Sequence, residues 1–150
     1  MFWLWLVLVA VVTLVIAWAF HTAQRLNRLH IRTDNARQSL QAALDRRAAL
    51  VGALKPEAAS ISAAAEAVPL LPEQFEQRAA YELEVSKVIS DWGGEPPAAV
   101  VDAAARVQLA HRFYNDAVAD TRALRVRPLV RLFCLGGTAR LPEFFEFPTP

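Results

Sequence analysis

From Phe2 to Phe20 the chain holds no charged residue, no glycine and no proline. Apart from Thr13, polar residues enter at His21, and the apolar positions then thin to a stripe. Leu26, Leu29, Thr33, Ala36, Leu40, Ala43, Leu44, Arg47, Leu50, Val51 and Leu54 recur at spacings of three and four, the period of one helical face. No glycine occurs before Gly52 and no proline before Pro56, so the whole of residues 2–54 reads as one rod. At about 1.5 Å per residue its apolar part spans about 28 Å, the hydrocarbon thickness of a bilayer, and its polar part reaches about 50 Å beyond.

Gly52 and Lys55-Pro56 break that pattern, and Glu57 to Val68 is an Ala-rich stretch of a few helical turns. Pro69-Leu70-Leu71-Pro72 is a turn, and Pro72-Glu73 opens a helix with proline at its entrance and acids in its first turn. Phe75, Ala79, Glu82, Leu83 and Ser86 mark one face of that helix, which Gly93-Gly94 ends. A last long helix runs from Ala98 to about Val126, its face marked by Val100, Ala104, Val107, Tyr114 and Thr121, and Pro128 stops it. The expected fold class is all-α: a single N-terminal transmembrane helix continuing into a cytoplasmic antiparallel up-and-down helical bundle. The bundle has four helices, or three if residues 57–91 form one kinked helix. The divisions are residues 1–22, the membrane helix; 23–127, the bundle; and 128–150, an apolar and aromatic tail.

Charge orients the rod. Only Met1 precedes the apolar run, whereas Arg25, Arg28, Arg32 and Arg37 follow it, which places the N-terminus outside and the bundle in the cytoplasm, at the cell membrane. Trp3, Trp5 and Trp18 suit the two interfaces. Ala17-Trp18-Ala19 fits a signal-peptidase site, but the run lacks a positive n-region and is long for a cleaved leader. The net charge of +1 conceals an asymmetry: residues 57–124 carry eleven acids against five bases, while residues 21–54 carry six Arg against Asp34 and Asp45. Bases so few and so interleaved with acids make no phosphate-tracking stripe, which argues against nucleic acid.

Two stretches carry a family likeness. Asn35-Ala36 with Leu44-Asp45-Arg46-Arg47-Ala48-Ala49-Leu50-Val51, and Arg112-Phe113-Tyr114-Asn115-Asp116-Ala117-Val118 with the Phe-rich Phe144-Phe145-Glu146-Phe147, resemble the LemA family of bacterial membrane proteins. The chain looks like a short, divergent member, with its central helices cut down and Arg37 where the family carries an aromatic. The resemblance implies an N-out, single-pass protein with a cytoplasmic four-helix bundle and no established catalytic activity. It marks Asn35, Arg47, Tyr114 and Asn115 as motif residues. Tyr114, Asn115 and Arg47 are expected to meet as a buried polar cluster that fixes helix register, although an Arg47 snorkelling from the edge of its stripe is the favoured reading of that residue alone.

Little else signals chemistry. His21, His30 and His111 are scattered, which argues against a metal. Acid pairs such as Glu82 and Glu84 read as a solvated face. Cys134 reads as a small core residue, with lipidation as the alternative. The segment after Pro128 has two readings of equal weight. Arg125, Arg127 and Arg131 arrive at lipid headgroups with Leu129, Leu132, Phe133, Phe144 and Phe145 against the membrane or a partner, or the segment folds back over the open end of the bundle. The expected function is a membrane-anchored, non-enzymatic scaffold or accessory protein. It needs no cofactor, shows no small-molecule substrate, and has the lipid bilayer and other membrane proteins as partners. The alternatives are an integral accessory subunit of a respiratory or transport complex, and an enzyme with an undetected site.

Overall fold

The structure, a computed structural model, describes residues 1–135, 137 and 140–147. Those residues form helices and connecting segments, with no strand among them. The first helix, α1, runs unbroken through 53 residues, Phe2–Leu54. Its most apolar stretch has a mean hydropathy of 2.5 and none of it is buried, so α1 is long and apolar enough to cross a membrane. All of its buried residues lie from Thr22 onward, among them Leu26, Thr33, Leu40, Leu44, Arg47, Ala48 and Val51. All of these but Ala48 are members of the stripe read from the sequence.

Helix α1 ends where Lys55 turns to extended backbone ahead of Pro56, as residues before proline do. A 3-10 turn at Pro56–Ala58 leads into α2, Ala59–Ala67. Extended residues at Val68 and Leu71, then a second 3-10 turn at Pro72–Gln74, separate α2 from α3, Phe75–Ser90. Residues 57–91 thus hold two helices and not one kinked helix. Gly93 (φ +79°) and Gly94 (φ +159°) supply the left-handed backbone that turns the chain after α3. Helix α4, Ala98–Arg125, follows Pro97 and closes with Arg122 and Arg125 in its last turn, where cations complement the exposed carbonyls. Pro128 does not merely stop α4 but opens a one-turn helix α5, Pro128–Leu132.

Named contacts give the directions. Along α4, Val100 joins the core beside Ala48 and Val51, Val107 and Tyr114 join Leu40 and Leu44, Thr121 meets Thr33, and Leu124 meets Leu26. Numbers rise on one helix as they fall on the other, so α4 lies antiparallel to α1. Helix α3 lies parallel to α1, since Arg78 reaches Asp45, Glu82 reaches Arg47, and the carbonyl of Asp91 accepts from Lys55 Nζ. Helix α2 descends beside α1 from Gly52, which faces Ser62, to Leu70, whose amide donates to Gln41 Oε1.

Gly52 therefore acts inside α1 and does not end it. A Cβ there would stand 2.9 Å from Ser62 Cβ, closer than side chains pack. Gly52→Ala is expected to destabilise the helical domain by about 1–3 kcal/mol through overpacking, read as a lowered denaturation midpoint. Adding Ser62→Gly removes the opposing Cβ and should recover part of the loss; no recovery would place the cost elsewhere.

Candidate functional site

Three polar assemblies and one apolar collar form on this frame. The first is a buried ion network between α1 and α3. Glu82 is completely buried and accepts from Arg47 Nη2 at 2.7 Å and from Arg78 Nε at 2.8 Å. Arg78, also completely buried, donates further to Asp45 Oδ1 at 2.7 Å and to the carbonyl of Val68 at 2.7 Å. Two guanidinium groups and two carboxylates balance in charge, which is what permits their burial. Of the network's fully buried side-chain atoms, Arg47 Nε is the one without a hydrogen-bond partner among the described residues. A groove of about 360 Å³ lies beside this network, lined by Arg47, Leu83, Lys87, Gln108 and Phe147.

The second assembly holds the C-terminal segment. Residues 140–147 run extended along α4, tied by side chains of that helix to main-chain atoms. Arg125 Nη1 donates to the carbonyl of Arg140 at 2.9 Å, Arg122 Nη1 to that of Pro142 at 3.0 Å, and the Tyr114 hydroxyl to that of Glu143 at 2.6 Å. Asn115 grips Phe145 twice: its Nδ2 donates to the Phe145 carbonyl at 3.1 Å and its Oδ1 accepts from the Phe145 amide at 3.2 Å. His111 Nε2 lies 2.6 Å from the same carbonyl. The Phe145 ring is fully buried, edge-on to Phe75 at 5.3 Å. Burial pushes the Tyr114 phenol from its ordinary 10 up to about 12; Arg37 pulls it down, and Glu143 and Asp34 add to the rise.

The third assembly is a small bridge between Thr33 and Thr121, whose hydroxyls lie 3.0 Å apart while each also reaches a backbone carbonyl one turn earlier in its own helix. Below it sits the collar, where Val130 of α5 packs on Leu26 and Leu124, and Phe133 meets Trp18 edge-on at 6.0 Å. Val126, Leu129, Leu132 and Phe133 are exposed there. A groove of about 360 Å³ in the collar is lined by Trp18, His21, Arg25, Arg127 and Leu129. Arg25 and Arg127 pair with no carboxylate among the described residues.

The motif residues divide between these assemblies. Arg47 does not meet Tyr114 and Asn115 but pairs with Glu82, and at 5 % side-chain exposure it does not snorkel. Asn35 is exposed, its carbonyl accepting from Ser39 Oγ. Arg37 donates to the carbonyl of Leu70 at 3.1 Å, so the guanidinium fastens the α2–α3 connection. Glu82 belongs to no solvated face. Cys134 is no core residue either: it is exposed, with a left-handed φ of +50°. Of the tail's two readings the fold-back is the one seen: Phe145 enters the core, while α5 lies against Leu26 and Leu124 with Phe133 beside Trp18. Arg78 and His111 take parts that the sequence did not assign them. The signal for Arg78 was its spacing of four before Glu82 on a helix face that also carries Ala79 and Phe75.

No family model, curated protein or solved structure matches the chain. The LemA likeness thus rests on the motifs themselves.

Removing Glu82 leaves two buried guanidiniums short of an acceptor. Glu82→Ala is expected to cost about 3–5 kcal/mol, and Arg47→Met in the same chain should reduce that cost in a double-mutant cycle on denaturation; additive costs would show that the pair is not coupled. Tyr114 sets an alkaline limit. Its folded pKa lies above its unfolded one, so its contribution is full below about pH 10 and is lost as the pH rises through about 12. A spectroscopic titration should show a phenolate appearing near pH 12 that Tyr114→Phe removes; ionisation of Tyr114 near pH 10 would contradict its burial.

Proposed function

We propose that the chain is a single-pass membrane protein whose α1 carries an antiparallel up-and-down four-helix bundle into the cytoplasm, and that it serves as a non-enzymatic scaffold or accessory protein for other membrane proteins, in the manner the LemA likeness implies. The observation that carries this is the continuity of α1: one helix, with no break, passes from an apolar stretch with no buried residue to a stretch that holds the core. An exposed surface of Phe, Trp, Leu and Val on that scale calls for lipid or protein around it. The collar supports the same placement. Arg25 and Arg127 come together from two distant parts of the sequence near the end of the apolar run, with Trp18 lining the same groove. Such cations gain about 1 kcal/mol each from an anionic lipid surface.

The motif side chains support a structural use. Arg47, Tyr114 and Asn115 are each bonded to a side chain or main-chain atom of this chain, so their chemistry goes into holding α3 and the tail in place. Contacts with partners then fall to surfaces outside those networks, chiefly the lipid-level face of α5.

Membrane placement has a direct test. In a Cys134→Ser background, Leu132→Cys should be protected from a bulky aqueous thiol reagent in native membranes, whereas Phe144→Cys, on a ring 42 % exposed, should react. The chain should also stay with the membrane through carbonate washing. Equal, full labelling of both positions would remove α5 from the membrane surface, and release by carbonate would remove the anchor. The accessory role predicts that cross-linking in native membranes joins the chain to another membrane protein in fixed stoichiometry.

A further inference from the structure

The segment 140–147 lies on the rest of the domain as a peptide ligand lies on a receptor. It is extended, it adds one large side chain to the core, and its carbonyls at 140, 142, 143 and 145 each take a bond from a side chain of α4. The bidentate grip of Asn115 on one residue's amide and carbonyl reads main chain, not side chain. All these hydrogen-bonding groups sit on a single helix. Lifting the segment away would leave the direct pairing of α4 with α1, through Val107, Val118, Leu40 and Leu44, in place.

We propose that this groove on α4 also receives the tail of a second copy of the chain, so that two molecules in one membrane exchange residues 140–147. The inference rests on the membrane placement proposed above. Three observations lead to it. A second copy's tail is identical to the occupant already seated, so every bond made within the chain is available between chains, as in other exchanges of a terminal element.

The segment's direction supplies the geometry. Helix α5, from which the tail departs, is level with Trp18, and the tail then climbs α4 from Arg125 through Arg122 to Asn115 and His111, away from the apolar half of α1. A neighbour in the same bilayer presents its own groove at the same height and pointing the same way. Reciprocal exchange about an axis along the membrane normal is therefore closed and two-fold. Anchoring in one membrane also raises the effective concentration of one copy for another.

The turn that sends the tail back supplies the third observation. Cys134 is the one non-glycine residue with a left-handed φ among the described residues. Such a backbone is strained for a side chain with a Cβ, and a tail reaching outward to a neighbour would free Cys134 to relax to a negative φ. Exchange thus keeps the groove's bonds while relieving the turn.

Paired cysteines test this in the full-length chain in native membranes, with Cys134→Ser throughout. His111 and Phe147 have ring centroids 4.8 Å apart. Two differently tagged chains, one carrying His111→Cys and the other Phe147→Cys, are co-expressed and treated with a short thiol-bridging reagent. The expected result is a product of twice the monomer's mass bearing both tags, repeated with the pair Arg122→Cys and Phe144→Cys in case loss of His111 loosens the tail. The same pairs placed in one chain report the intramolecular seat. Links found only within single chains would overturn the exchange, as would the absence of any link from either pair. A link from His111→Cys to a different protein, without the two-tag product, would give the groove to another partner and likewise overturn it. Carbonate washing of the same membranes reports the anchor separately: a chain released from the membrane that still forms the two-tag product keeps the exchange and loses the common-membrane geometry.

Discussion

Everything in the structure depends on α1 being one helix. A 53-residue helix can curve gently but does not kink sharply without a proline, a glycine pair or an inserted group to break its hydrogen-bond ladder, and no proline or glycine stands between the apolar stretch and the packed stretch. The stripe from Leu26 to Val51 is thereby fixed in rotation about the axis relative to Phe2–Phe20. Whatever packs on that stripe inherits an orientation toward whatever surrounds the apolar half. The single glycine inside the helix, Gly52, is used for close approach of α2 and not for flexibility, since Ser62 occupies the space a side chain would need.

The second constraint is a mismatch of lengths. Helix α4 runs for 28 residues along α1, whereas α2 has 9 and α3 has 16. Helix α3 begins with Phe75 at the level of Leu40, so the stretch of α1 from Thr22 to about Arg37 faces α4 with little of α2 or α3 beside it. Two helices alone leave an open seam. The chain after Arg125 borders it: Val130 of α5 closes the end at Leu26 and Leu124, Leu141 and Pro142 line a groove with Thr33 and Thr121, and Phe145 seats above them against Phe75. The tail thus replaces helix length that the central segment lacks, and it does so in extended form, which obliges its carbonyls to find donors. Arg122, Tyr114 and Asn115 supply them.

Periodicity made the helices legible, because each buries a stripe at three- and four-residue spacing and each ends at proline or glycine. The core positions Leu40, Leu44, Val51, Val107 and Tyr114 follow directly from that pattern. Partnerships between distant polar residues were not legible in the same way. Arg47 and Tyr114 lie on facing helices, yet which residue each bonds depends on the level at which α3 and the tail arrive, and no local rule sets that. Glu82 read as surface because an acid on a helix usually is; its burial needed Arg47 and Arg78 to converge on it from two elements. The tail was ambiguous for a different reason: an aromatic, Pro-punctuated segment suits a membrane surface or a core seam equally, and its two halves went to different places.

The ion network also explains why α3 has one register on α1. Arg78 and Glu82 stand one turn apart on the same face of α3. Sliding α3 by one turn along α1 in one direction would bring Arg78 opposite Arg47, two buried cations without Glu82 between them. Sliding it the other way would bring Ser86, a neutral hydroxyl, opposite Arg47 and strand Glu82 beyond it. Either slip leaves buried charge unpaired, at a cost of about 3–5 kcal/mol on the usual scale for a broken buried pair. The apolar contacts discriminate far less, because the small side chains Ala79 and Val85 join a core built on Leu40, Leu44, Ala48 and Val51 that changes little over one turn. Buried ion networks as a class add little net stability over a well-packed apolar equivalent. This one selects one alignment among several that the hydrophobic stripe alone would tolerate, and in selecting it sets the level of Phe75, against which the tail's Phe145 is seated.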